Sequence, residues 1–207
     1  MKANPAFFRA ALIGLVIATA CSRAPETAQP GVAVGPDINV AGVQNPVDAD
    51  LFRAAASDGA DGVALRIEQG ANVNVANNLG RTPLFAAAFH GRAPAVKALL
   101  EKGASVAVHD GSGLTPLHAA VLGGNAEVVS LLLAAGAEVN ARSVSEMTPL
   151  HLAAATGQPE LAQLLLGAGA DKALRDRQGE TAAKLAETNH HPTTLALIQK
   201  AKAHTPR

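Results

Sequence analysis

Apolar residues recur along this chain in short helical blocks divided by glycine. In residues 115–137, TPLHAAVLGGNAEVVSLLLAAGA, Leu117, Ala120 and Val121 fall at helical spacing. Thr115-Pro116 ahead of them offers a capping hydroxyl and a proline at the first helical position. Gly123-Gly124 breaks that helix, and Asn125 is a candidate cap for a second. Val128, Val129, Leu131, Leu132 and Leu133 then form a nearly continuous apolar run. Gly136 ends it where a left-handed residue is wanted. The predicted unit is helix, tight turn, helix, short loop, and one such unit cannot bury its own apolar face.

The unit is repeated. Thr-Pro-Leu begins at Thr82, Thr115 and Thr148, with a weakened copy at Thr181, each 33 residues after the last. The second helices recur as VKALLEKGA, VVSLLLAAGA and LAQLLLGAGA. A fixed period of this length signals a stacked array. TPLHAA, TPLHLA and the later LLL-x-x-GA closely resemble the ankyrin repeat over residues 48–202. The resemblance implies an all-α solenoid of about five helix-turn-helix repeats. Residues 48–71 make a first repeat without Thr-Pro-Leu, and the last repeat has a more polar final helix, as terminal units meeting water should.

Ahead of the array, residues 1–9 are basic and residues 10–20 are uncharged and largely apolar, the order of a secretory signal. The run is too short to cross a bilayer, which takes about 20 residues. Residues 18–21, Ala-Thr-Ala-Cys, resemble a bacterial lipobox, with alanine where leucine is commoner. An ordinary Ala-x-Ala signal followed by a chance cysteine is the alternative. Cys21, the only cysteine, is the candidate lipidation site, and Ser22 after it favours the outer membrane by the enterobacterial sorting pattern. Residues 21–47, rich in Pro, Gly, Ala and Thr, read as a disordered tether, and residues 203–207 as a tail. The expected location is the periplasm, on an outer-membrane-anchored lipoprotein, with the lipid as the only membrane contact.

Charge and chemistry narrow the function. The chain has 17 basic and 17 acidic residues, a balance that argues against a nucleic-acid partner. Loss of residues 1–20 would remove Lys2 and Arg9 and no acid, leaving a net charge of −2. His118 and His151 sit in Thr-Pro-Leu-His, and the ankyrin resemblance implies structural rings bonded within and between repeats. No His-x-x-x-His with a carboxylate, Gly-x-Ser-x-Gly or Cys-x-x-Cys is present. Hence no metal, cofactor or catalytic residue is expected, and the chain is read as non-enzymatic.

In ankyrin arrays the partner usually meets a concave face built from inter-repeat loop tips and first-helix ends. The register places Leu79, Arg81, Phe89, His90, Leu114, Leu122, Val144, Met147 and Arg177 there as candidate partner-binding residues. An apolar stripe across solvent-facing columns suggests a protein contact. Phe52, Phe85, His118, His151 and Lys184 share another column, read as packing between first helices. Glu146 stands where Gly80, Gly113 and Gly179 stand, which predicts a strained or different loop there. The expected protein is a monomeric interaction module of the bacterial cell envelope that binds an unidentified protein. Small exported ankyrin proteins that it resembles include periplasmic oxidative-stress accessories and immunity proteins against toxins, and a structural envelope spacer is a further alternative.

Overall fold

The computed structural model describes residues 39–57 and 59–201. Among the described residues are ten helices in five successive pairs: α1 (Pro46–Ser57) with α2 (Ala60–Glu68), α3 (Pro83–Phe89) with α4 (Ala93–Glu101), α5 (Pro116–Leu122) with α6 (Ala126–Ala134), α7 (Pro149–Ala155) with α8 (Pro159–Gly167), and α9 (Ala182–Thr188) with α10 (Pro192–Lys200). First helices pack on first helices, α1 to α3 to α5 to α7 to α9. Second helices pack on second helices in the same order. This is the all-α helix-turn-helix solenoid expected from the period.

The local causes are those in the repeated sequence. Thr82, Thr115, Thr148 and Thr181 each accept, through the side chain, the backbone N–H three residues on, a cap worth about 1 kcal/mol. The core is built from two columns. Leu51, Leu84, Leu117 and Leu150 come from the first helices, and Leu99, Leu132, Leu165 and Ile198 from the second. Burying each contributes about 1.5–3 kcal/mol, and much of that burial exists only because the neighbouring repeat is present. Lys172 closes the far end: its ammonium donates to the carbonyls of Ile198, Gln199 and Ala201, which the last helix leaves without partners.

Two features bear on the sequence expectations. The finger architecture also occurs ahead of residue 48. Residues 39–43 already form a loop of the inter-repeat kind, docked on the next one through Asn78 N–H to Ala41 O, 2.7 Å, and Asn77 Nδ2 to Asn39 O, 2.6 Å. It escapes the period because α1 has 12 residues against 7 in α3, displacing the loop from its expected place in the sequence. Of the two expectations for Glu146, a strained or a different loop, the structure shows the strained one. The Glu146 N–H donates to Ser143 O at 2.8 Å, as Gly113 N–H does to Asp110 O at 2.8 Å. Glu146 holds a φ of 60° to do so, a left-handed conformation that costs an L-residue about 1–2 kcal/mol, and its carboxylate pairs with Arg142. The signal, Cys21, the start of the tether and residues 203–207 lie outside the described residues.

Candidate protein-interaction face

Each helix pair is preceded by a five-residue finger: residues 39–43, 77–81, 110–114, 143–147 and 176–180. A finger is a tight turn seated on its own first side chain. Asp110 Oδ1 accepts the N–H groups of Ser112 and Leu114 at 2.8 and 2.9 Å. Asn77 does the same for Leu79 and Arg81, and Asp176 for Gln178 and Glu180. Ser143 Oγ reaches Met147 N–H. These carbonyl and hydroxyl acceptors mimic a backbone turn. Asn77, Asp110 and Asp176 are buried, and the two aspartates turn their carboxylates to peptide N–H groups, Asp110 also to Arg81. This column was missed in the sequence, although its signal was there: a small polar acceptor three residues before the left-handed position, every 33 residues.

The fingers are joined by one backbone hydrogen bond per step. Gly111 N–H donates to Leu79 O, Val144 N–H to Ser112 O and Arg177 N–H to Ser145 O, at 2.8–3.0 Å. A second tie links the second and third fingers: Arg81 Nε donates to Asp110 Oδ2 at 3.2 Å. The Arg81 guanidinium also lies over the Phe85 ring, 5.0 Å from its centroid, a favourable cation–π distance. First helices are linked through buried histidines. His118 Nε2 donates to Met147 O at 3.1 Å, leaving Nδ1 to accept Thr115 N–H at 3.2 Å. His151 repeats this with Glu180 O and Thr148 N–H. Burial pushes the His118 imidazole down to about 4 and lowers that of His151. Neutral rings whose donors and acceptors are both used inside the fold match the structural reading of the motif.

The expected partner-binding residues divide on this frame. Leu114, 4% exposed, and Met147, 9% exposed, are core. The residue after the left-handed turn runs back beneath the finger, so their column faces inward, and the expectation that they meet solvent is corrected. Arg81, in the same column, is engaged by Asp110 and Phe85 within the fold. Leu79, Phe89 and Leu122 are half-buried, and Val144 is 56% exposed at a finger tip. His90 is half-buried, edge-on to Phe89 at 5.3 Å, and its imidazole is pushed down by burial first and by Arg92 second. Arg177 is exposed on the fifth finger. Leu79, Phe89, Leu122, Val144 and Arg177 therefore remain open enough to meet a partner. Among the described residues no group of three or more His, Cys, Asp or Glu is arranged to hold a metal ion, and no helix is long and apolar enough to cross a membrane.

Stacked helix pairs carrying a rigid row of fingers define a helical-repeat scaffold, in which a surface rather than a set of reacting groups carries function. Residues 51–143 match a family model described as ankyrin repeats (3 copies), and residues 144–186 one described as ankyrin repeats (many copies). The chain belongs to the ankyrin-repeat family. Ankyrin repeats are protein-interaction modules and are typically non-enzymatic. No curated protein matches the sequence.

Proposed function

We propose that this chain is a binding protein of the bacterial cell envelope that holds a protein partner on its finger face. The observation that carries the reading is the set of Leu79, Phe89, Leu122 and Val144, apolar residues across three consecutive repeats, of which Val144 is exposed and the others are half-buried. Burying what remains exposed of each would contribute only part of the about 1.5–3 kcal/mol that full burial of a large side chain is worth, before ordering costs. The fingers that carry Leu79 and Val144 are already fixed by the hydrogen bonds above, so little of that gain is spent on ordering them.

The test uses substitutions that place charge on the open face. Phe89→Asp with Leu122→Asp, and separately Val144→Asp, are expected to abolish partner crosslinking in intact cells. Val144→Asp should also leave stability within about 0.5 kcal/mol, as for an ordinary surface change. A Val144→Asp protein that unfolds near the temperature of the parent and still crosslinks to the same partner would count against this face.

Envelope location is supported by the order of basic, apolar and cysteine residues in the first 21 positions. Cys21 would carry a lipid, and the segment after it would hold the array near the membrane. Cys21→Ser is expected to abolish fatty-acid labelling and move the protein to a soluble fraction. Unchanged labelling in that variant would refute the anchor.

A further inference from the structure

The outward charge of the fingers is not the charge of the chain. Overall the sequence is neutral, but Asp110 and Asp176 point into their own turns and are buried. Arg142, Arg175 and Arg177 are exposed on the last two fingers or immediately before them. Of the acids near them, Glu146 is exposed and Glu180 is half-buried. The first-helix ends change in parallel, from Phe89 and Leu122 to the smaller Ala155 and Thr188. The face thus runs from apolar at the second to fourth repeats, where Val144 stands at the fourth finger tip and Arg142 is paired with Glu146, to basic at the fifth.

One detail shows what the basic end accepts. Arg142 and Arg175 are equivalent, 33 residues apart. In the fourth finger Arg142 is paired with the carboxylate of Glu146. In the fifth finger the position of Glu146 is taken by Gly179, and Arg175 Nη1 donates instead to the Gly179 carbonyl at 2.7 Å. The same arginine geometry that is met by a carboxylate in one finger is met only by a peptide oxygen from its own finger in the next. A guanidinium presents five donors in a planar fork suited to a carboxylate.

We propose that the partner of this face is an extended acidic segment of a protein, with its apolar residues at Phe89 and Leu122 and its carboxylates at Arg175 and Arg177. This rests on the finger-face reading above and adds to it the chemistry and polarity of the partner. Packed helices lie about 8–10 Å apart and an extended chain advances about 3.3 Å per residue. Each repeat therefore corresponds to about three residues of the segment, and its carboxylates follow its apolar residues by about six to nine.

The test is fluorescence anisotropy with the purified full chain and three labelled synthetic peptides. Each carries Phe and Leu at one end and, about seven residues on, a block of Asp/Glu, Asn/Gln or Lys. The acidic peptide is expected to bind about tenfold tighter than the amide peptide at low salt, from two exposed pairs, and to lose that advantage as salt is raised. Arg175→Glu with Arg177→Glu should erase the difference, and Phe89→Asp with Leu122→Asp should weaken both peptides alike. If charge reversal leaves the acidic preference intact, or if the amide or Lys peptide binds best, the proposal is overturned while the finger face can still stand on its crosslinking result. If Phe89→Asp with Leu122→Asp leaves both peptide binding and partner crosslinking unchanged, the face itself is wrong. Phosphatidylglycerol vesicles that bind as tightly as the acidic peptide, with the same dependence on Arg175 and Arg177, would overturn it in favour of a lipid surface.

Discussion

Asp110→Ala is expected to destabilise the array by about 3–5 kcal/mol, the usual cost of removing one partner from a buried ion pair. The Asp110 side chain is 2% exposed and that of Arg81 13%. Asp110 receives three donors, the N–H groups of Ser112 and Leu114 and the Arg81 guanidinium. Alanine removes all three acceptor contacts and takes the carboxylate away from a guanidinium packed over Phe85. Two further variants separate the contributions. Asp110→Asn keeps an acceptor for the turn, as Asn77 does in the preceding finger, and should cost less than half as much. Asp176→Ala removes a turn acceptor where Met147 stands in place of Arg81, and should cost about 1–3 kcal/mol. Urea melts of the three proteins check the order. Equal losses for Asp110→Ala and Asp110→Asn would mean that the charge alone matters and the turn does not.

The second large effect is acid lability. His118 is neutral when folded, its Nε2–H on Met147 O and its Nδ1 facing Thr115 N–H. A proton added to Nδ1 would face Thr115 N–H, donor against donor, and would put a charge at a buried site with Thr115 Oγ1 as its acceptor. Burial holds its folded value at about 4, against an ordinary 6.5, with His109 opposing protonation and Asp110 and the Met147 and Ala141 carbonyls favouring it. The unfolded chain takes up this proton as pH falls through about 6.5, and the folded chain takes it up only near 4. Between those values the unfolded state binds more protons, so stability is full above pH 6.5 and is lost as pH falls towards 4. At 1.36 kcal/mol per pH unit this amounts to about 3 kcal/mol for His118. His151 adds loss of the same sign, its value also lowered by burial, against the Glu180 and Leu174 carbonyls and Asp176, and with Arg142. Denaturant melts between pH 7.5 and 4.5 should show the decline, and His118→Phe should flatten it, since Phe85 fills the equivalent position one repeat earlier. An equal slope in His118→Phe would assign the lability to other groups.

Period, capping and core were legible in the sequence because each is a property of one position read along the chain. Thr82, Thr115 and Thr148 announce helix starts, and Leu99, Leu132 and Leu165 announce the core by their type alone. The candidate face was legible only in part. The register gave the column of Leu114 and Met147 but not the direction of its side chains. That direction is set by the backbone reversal at Gly113 and Glu146, which sends the next residue under the finger. The Arg81–Asp110 pair joins residues 29 apart in sequence, and no spacing rule distinguishes it from two surface charges. The first finger was hidden because it does not stand a 33-residue step ahead of the second, the longer α1 having displaced it. Glu146 was legible as a departure from glycine, but not which of strain or rearrangement it would bring, since hydrogen bonding and packing can hold a left-handed L-residue in a turn that glycine would occupy at less cost.

The ladder of fingers has a consequence for how the chain can acquire its structure. Among the described residues, the widest span of any hydrogen bond between repeats is 38 residues, from Asn77 to Asn39, and the others join neighbouring units. No repeat waits for a distant part of the polypeptide. A chain emerging amino-terminus first from a ribosome or a translocation pore could seal each interface as soon as the next 38 or so residues are clear. Folding would then advance as a front behind the exit, and unsealed leucine would be confined to the newest unit. Assembly would be a vectorial process whose direction is set by synthesis or transport, while the hydrogen-bonded first finger, already in place, closes the end that emerges first.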